Sequence, residues 1–225
     1  MTETEPAMGL DEQLQAERDR RTADEAVRLA YEEVFTTLST NGFLPSVLPE
    51  EATFPDFVLP DTEGRLVSLA SRLARGPVLV QFFRGEWCPF CRLMLDALVG
   101  ALPEIEAAGA SLMALTPDIG PWAREAKRNH GATFDVLSDV DCGVGLAAGV
   151  VFRIPPIYRA RLMRAGIDFA DRHDNGAEFL PIPAVFLLDA DGRVAWRFVN
   201  VDFTRRAAPE RILSALRRLT APERE

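Results

Sequence analysis

Residues 84 to 92 read Arg-Gly-Glu-Trp-Cys-Pro-Phe-Cys-Arg, which places two thiols, Cys88 and Cys91, three positions apart. Such a pair can pass two electrons by opening and closing a Cys88–Cys91 disulfide. The chemistry depends on where the pair sits. Before it, Pro77-Val-Leu-Val-Gln-Phe-Phe83 has the length and the β-branched and aromatic content of a buried strand. After it, Cys91, Leu95, Leu98, Leu102 and Ile105 step by four and three, the mark of one apolar helical face. Cys88 then falls at the first helical turn, where free backbone N–H groups and the helix dipole favour a thiolate. Pro89, between the two cysteines, is a supporting residue of the motif. Cys91 lies one turn further in. On this reading the exposed Cys88 sulfur attacks and the inner Cys91 sulfur closes the ring.

Other uses of the pair are less well matched. Zinc calls for about four ligands, and the chain has only one further cysteine, Cys142, and two histidines, His130 and His173. They would have to converge from distant positions. Two inert buried thiols, or a permanent structural disulfide, also fit the spacing, but the strand-loop-helix setting is that of a redox pair. No cofactor is called for.

The 225 residues exceed one average domain without requiring two, and 48% hydrophobic content fills a sizeable core. A net charge of −9 argues against nucleic acid and anionic membrane surfaces as partners. No apolar run is long enough to cross a bilayer. The opening Met-Thr-Glu-Thr-Glu-Pro has neither a basic nor an apolar leader segment, so a cytoplasmic location is expected.

Residues 1–46 read as a helical extension. Thr22-Ala-Asp-Glu25 suggests a capping box with Thr22 as N-cap, Val27, Tyr31, Val34 and Leu38 form an apolar face, and Asn41-Gly42 ends the helix. This helix either docks on its own domain or joins two copies in a homodimer. A domain over 47–220 follows, then a short tail at 221–225. Within it, residues 54–59 and 66–69 bracket a turn as a hairpin. Strands are expected at 77–83, 111–116, 133–137, 184–188 and 193–199. Helices are expected after Cys88 (interrupted or kinked near Pro103), at 121–129, 142–149, 158–164 and from Pro209. Alternation of this kind gives an α/β fold with a central mixed sheet flanked by helices. The segment 150–180 is an insertion suited to forming one wall of a cleft.

Three motifs carry a resemblance: Phe54-Pro-Asp-Phe-x-Leu-x-Asp-x-x-Gly64, Phe83-Arg-Gly-x-Trp-Cys-Pro-x-Cys91 and Ile182-Pro-Ala-Val-Phe-Leu-Leu-Asp-x-Asp-Gly192. Together they resemble the thioredoxin fold, in the branch of the alkyl hydroperoxide reductase/thiol-specific antioxidant proteins and their peroxiredoxin-like relatives. The resemblance implies a thiol-dependent reduction of hydroperoxides with Cys88 as nucleophile and Cys91 as resolving thiol. It also implies a thioredoxin-like or low-molecular-weight thiol as reductant. It makes Pro183 the candidate cis-proline facing the sulfurs. Trp87 can shield the dithiol or form part of a partner surface. Arg84 and Arg92, near in sequence, can supply positive charge, although solvated loop and helix positions are the ordinary reading of each. Phe90 is expected to be exposed beside them. Glu86 would oppose Arg84 and Arg92. Two positions depart from the peroxidase pattern. Gly85 stands where a hydroxyl residue would bind the peroxide, and Pro183 where an arginine would sharpen the thiolate. Both departures look thioredoxin-like, so exchange with a protein disulfide remains an alternative, as does a redox-sensing module without turnover.

Overall fold

The architecture comes from a computed structural model, which describes residues 8–174 and 178–221. The leader reading on residues 1–6, and the tail beyond residue 221, lie outside those residues.

Three helices come first: α1 (Leu10–Thr22), α2 (Glu25–Thr40) and the short α3 (Phe43–Ser46). They are followed by β1 (Val58–Pro60), β2 (Leu66–Ser68) and α4 (Leu69–Leu73). The redox segment links β3 (Val78–Phe82) to α5 (Pro89–Ala107), and the chain continues through β4 (Ser111–Thr116), α6 (Gly120–Asn129) and β5 (Asp135–Ser138). Next come α7 (Gly143–Ala147), β6 (Val151–Arg153), α8 (Pro156–Arg164), α9 (Phe169–His173) and β7 (Phe179–Pro181). The last elements are β8 (Ala184–Leu188), β9 (Val194–Val199) and α10 (Pro209–Thr220).

The central sheet has the order β5-β4-β3-β8-β9. β3 pairs parallel with β4 and antiparallel with β8, so the sheet is mixed, as the alternation of elements predicts. Every residue of β3 and β8 is buried, which is why both read as unbroken apolar runs. α5 carries its stripe of Cys91, Leu95, Leu98, Leu102 and Ile105 into the core. α1 and α10 pack against α5, and α2 packs against α8, so the N-terminal extension docks on its own domain.

Several local expectations are corrected. α1 is a full helix running to Thr22, so Thr22 cannot begin the next one. Asp24 caps α2 instead, its carboxylate accepting from the Ala26 and Val27 amides. Pro103 sits inside α5, which continues past it to Ala107, so the helix is not interrupted there. The hairpin is confirmed as β1 with β2, but only three residue pairs long. The insertion holds more structure than expected: α9, and a second antiparallel pair of β6 with β7. No peptide bond among the described residues is cis, so the Ile182–Pro183 bond is trans, contrary to the thioredoxin-like expectation.

Candidate active site

Cys88 is the N-cap residue of α5 and has extended backbone geometry, with Pro89 at the first helical position. Its carbonyl accepts from the Cys91 and Arg92 amides at 2.9 and 3.1 Å, which closes the first turn and sets the two cysteines on one side of the helix. Both are free thiols. Neither is exposed: Cys88 is 2% accessible and Cys91 0%. The outer sulfur was expected in solvent. It lies instead against a cavity of about 230 Å³ that Cys88 helps to line, together with Arg84, Trp87, Pro89 and Phe90 from its own segment.

The cover comes from elements remote in sequence. α2 contributes Val27 and Tyr31, the insertion contributes Tyr158, Arg161, Leu162, Ala165 and Ile167, and the segment after β9 contributes Phe203. The Tyr31 ring meets Phe203 edge-on at 4.8 Å, Tyr158 at 6.1 Å and Phe90 at 6.3 Å. This cluster explains why Phe90, expected at the surface, is buried. The 150–180 insertion does form one wall of the cleft.

Arg84 was expected on a solvated loop but is completely buried. Its Nη2 donates to the Tyr158 hydroxyl at 2.6 Å, and its guanidinium lies 4.2 Å from the centre of the Phe203 ring and 5.4 Å from that of Trp87. Its Nε and Nη1 have no hydrogen-bond partner. A second cation was not foreseen. Arg206, on the loop before α10, is held by the carbonyls of Phe203 and Arg205, and its Nη2 approaches the Cys91 sulfur at 3.4 Å. These two arginines supply the positive charge that Pro183 does not.

Burial works against a Cys88 thiolate. The Cys91 thiol, the charges of Arg84 and Arg206 and the Cys91 backbone amide outweigh it, and the Cys88 pKa is pushed down to about 5. Burial and the neighbouring Cys88 charge push Cys91 well above the ordinary thiol range. The pair is therefore split into one ionised and one protonated sulfur at neutral pH. Glu86 does not oppose this, because it is turned toward other partners: His130 at 2.9 Å, Asn129 at 3.1 Å and Arg92 at 3.8 Å. Arg92 is thereby engaged away from the thiols.

Gly85 has a steric reason. Its φ is +130°, and a Cβ placed there would lie 2.3 Å from Asp118 Oδ2 and 2.6 Å from Trp87 Nε1. A threonine cannot fit unless that carboxylate and the indole move. Asp118 is itself fixed by Arg172 at 2.9 Å. Pro183 is buried ahead of β8, whose Ala184 pairs with Phe82, but it does not line the cavity. Cys142 lies at the start of α7, where burial and the charges of Asp139 and Asp141 push its thiol up to about 12.

A dithiol on the N-terminus of a helix, at the end of the middle strand of a mixed sheet, is an arrangement that can cycle between dithiol and disulfide. Comparison with known proteins narrows the class. The chain belongs to the AhpC/TSA family, which it matches over residues 51–197. It is 35% identical over 88 residues to alkyl hydroperoxide reductase E of Mycobacterium tuberculosis, covering 39% of this chain and 58% of that protein. It is 28% identical over 104 residues to a chloroplastic peroxiredoxin Q of Oryza sativa, covering 46% and 48%. The chain thus spans about half the length of these curated relatives. Among solved structures, peroxidoxin BcpB from Mycobacterium tuberculosis matches with a TM-score of 0.60 at 19% identity, over 76% of this chain and 98% of that one. Xanthomonas campestris peroxiredoxin Q matches at 0.54 and 21%, over 77% and 97%. At such identities the structures establish the thioredoxin fold of the peroxiredoxins. No helix among the described residues is long and apolar enough to cross a membrane.

Proposed function

We propose that the protein is a thiol-dependent peroxidase that reduces hydroperoxides through a Cys88/Cys91 dithiol–disulfide cycle. The observation that carries this reading is Cys88 lining a small cavity beside the buried Arg84, with Cys91 one helical turn behind it. The Cys88 thiolate attacks the terminal oxygen of ROOH. The S–O bond forms as the O–O bond breaks, the alkoxide takes a proton from water and leaves as ROH, and the sulfur becomes a sulfenic acid. Cys91 then gives up its proton and attacks that sulfur. The S–S bond forms and the hydroxyl leaves as water. Two further electrons, from a thioredoxin-like dithiol or two low-molecular-weight thiols, restore the reduced pair.

Arg84 takes over what the hydroxyl residue absent at position 85 would do. Its two unpartnered nitrogens beside Cys88 are donors for the peroxide oxygens and for the charge that develops on the leaving oxygen. Arg206 keeps the field positive around Cys91 when that sulfur ionises. Burial also bears on the alternative. A sulfur 2% accessible in a cavity of about 230 Å³ admits a hydroperoxide but not an extended protein segment carrying a disulfide. Exchange with protein disulfides is therefore the weaker reading.

The test is turnover with a dithiol reductant on two substrates. Rapid consumption of hydroperoxide with sluggish reduction of an insulin-type disulfide supports the peroxidase. The opposite ranking overturns it, and no turnover on either leaves a redox-sensing module.

A further inference from the structure

The cavity over Cys88 is larger and more positive than the attack on hydrogen peroxide requires. Its volume of about 230 Å³ is several times the roughly 30 Å³ that a water-sized molecule occupies in a liquid, so a peroxide group leaves most of it empty. The remaining wall is apolar, built by Val27, Leu162, Ala165, Ile167 and Phe203. Such a wall favours an organic body on the hydroperoxide.

Charge narrows the class further. The chain carries a net −9, yet the cavity is lined by three arginines, Arg21, Arg84 and Arg161, and by no carboxylate among the described residues. Arg84 is committed to the thiolate and Tyr158. The side chain of Arg161, on α8, makes no hydrogen bond or ion pair among the described residues. Arg21, at the end of α1, shares the single carboxylate of Glu17 with Arg20, so this group of three retains a net positive charge. Glu33, whose carboxylate accepts from the Tyr158 amide at 2.9 Å, lies with Glu32 and Arg161 along the neighbouring groove between α2 and α8 and does not line this cavity. Arg84 and Arg206 already serve the sulfurs, which leaves Arg21 and Arg161 as surplus cations on the wall of an otherwise apolar space.

The geometry points to an anion-recognition site made by Arg161 and Arg21, and to an organic hydroperoxide bearing a carboxylate as the preferred substrate. The inference rests on the peroxidase reading. Arg21, Val27 and Tyr31 belong to the helical extension, outside the family match at 51–197. Arg21 is therefore supplied from outside the matched region, and Arg161 from the 150–180 insertion within it. The organic body fills the apolar part, the carboxylate meets the guanidinium groups, and the peroxide group reaches Cys88.

The experiment compares a hydroperoxy-alkanoic acid, its methyl ester and hydrogen peroxide with the reduced full-length protein by stopped flow. The acid is expected to oxidise Cys88 about tenfold faster than its ester, the order of gain that local electrostatic focusing gives, and the preference should shrink as salt is raised. Arg161→Ala should erase the acid-over-ester ratio, and Arg161→Lys should restore part of it. Equal rates for acid and ester in the unaltered protein would overturn the inference without needing any variant. So would a ratio that survives Arg161→Ala. If none of the three peroxides is consumed, the peroxidase reading fails and this inference falls with it. Consumption of hydrogen peroxide without an acid preference sinks the inference alone.

Discussion

Replacing Arg84 by Met tests whether the buried guanidinium sets the acidity of Cys88. With a pKa of about 5, Cys88 is ionised almost completely at pH 7, whereas an ordinary thiol near 8.5 would be only a few per cent ionised. An opposite charge within a few ångströms shifts a pKa by about 1–3 units. Arg206 and the Cys91 thiol remain in the variant, so the lower part of that range, about 1–2 units, is expected. The consequence depends strongly on pH. At pH 5.5 the thiolate fraction falls from about three-quarters to between about a quarter and about 3%. At pH 8 it scarcely changes. The assay is the rate of haloacetamide alkylation at Cys88 against pH, with the modified residue assigned by mass spectrometry. The inflection should move up in Arg84→Met and partly back in Arg84→Lys, which keeps the charge but not the planar fork. An inflection that stays in place would refute the electrostatic argument, and one near the ordinary thiol value in the unaltered protein would refute the thiolate itself.

Further outcomes follow from the same geometry. Cys91→Ser should accumulate a trappable sulfenic acid at Cys88 after one turnover, whereas Cys88→Ser should lose peroxide consumption altogether; dimedone labelling and peroxide assays check both. A depressed thiol pKa favours the fold once the thiol is ionised. The Cys88 contribution should therefore grow from about pH 5 toward the ordinary value of 9.0 and vanish below about 5. Denaturant titrations of the protein against Cys88→Ser should show their stability gap widening over that window; a gap independent of pH would contradict the linkage. Gly85→Thr, which installs the hydroxyl of the peroxidase pattern, should destabilise the fold by more than about 1 kcal/mol. The causes are the left-handed backbone and the contact with Asp118. A stable and more active Gly85→Thr would show that the loop relaxes freely. Tyr158→Phe removes the hydrogen-bond partner of Arg84 and should cost about 1–3 kcal/mol, read by the same titrations.

The parts of this fold that can be read from sequence are those whose cause is local. β3 and β8 are legible because strands buried on both faces must be apolar throughout, and α5 because its core stripe repeats with helical spacing. Cys88 at the helix N-terminus follows from those two neighbours. The remainder depends on packing between distant segments. Arg84 reads as a loop cation, because nothing near it in sequence announces that Tyr158 and Phe203 will close over it. Arg206 is 115 residues from the sulfur it contacts. Its only trace is a pair of arginines just after Phe203. The same closure hides Cys88 and Phe90, which a local reading leaves in solvent. α9 and the β6–β7 pair are too short for periodicity to reveal them. In the turn before α2, Thr22 and Asp24 are both good caps, and only the length of α1 decides between them.

The central claim is that Cys88 and Cys91 form one two-electron couple driven by peroxide. It is tested most directly by titrating the reduced protein with a single equivalent of hydroperoxide and mapping the product by mass spectrometry. The account predicts the loss of two hydrogens per chain and one intramolecular Cys88–Cys91 disulfide, with Cys142 still a free thiol. Recovery of both thiols unoxidised, or of Cys88 joined to Cys142 or to a second chain, would contradict it.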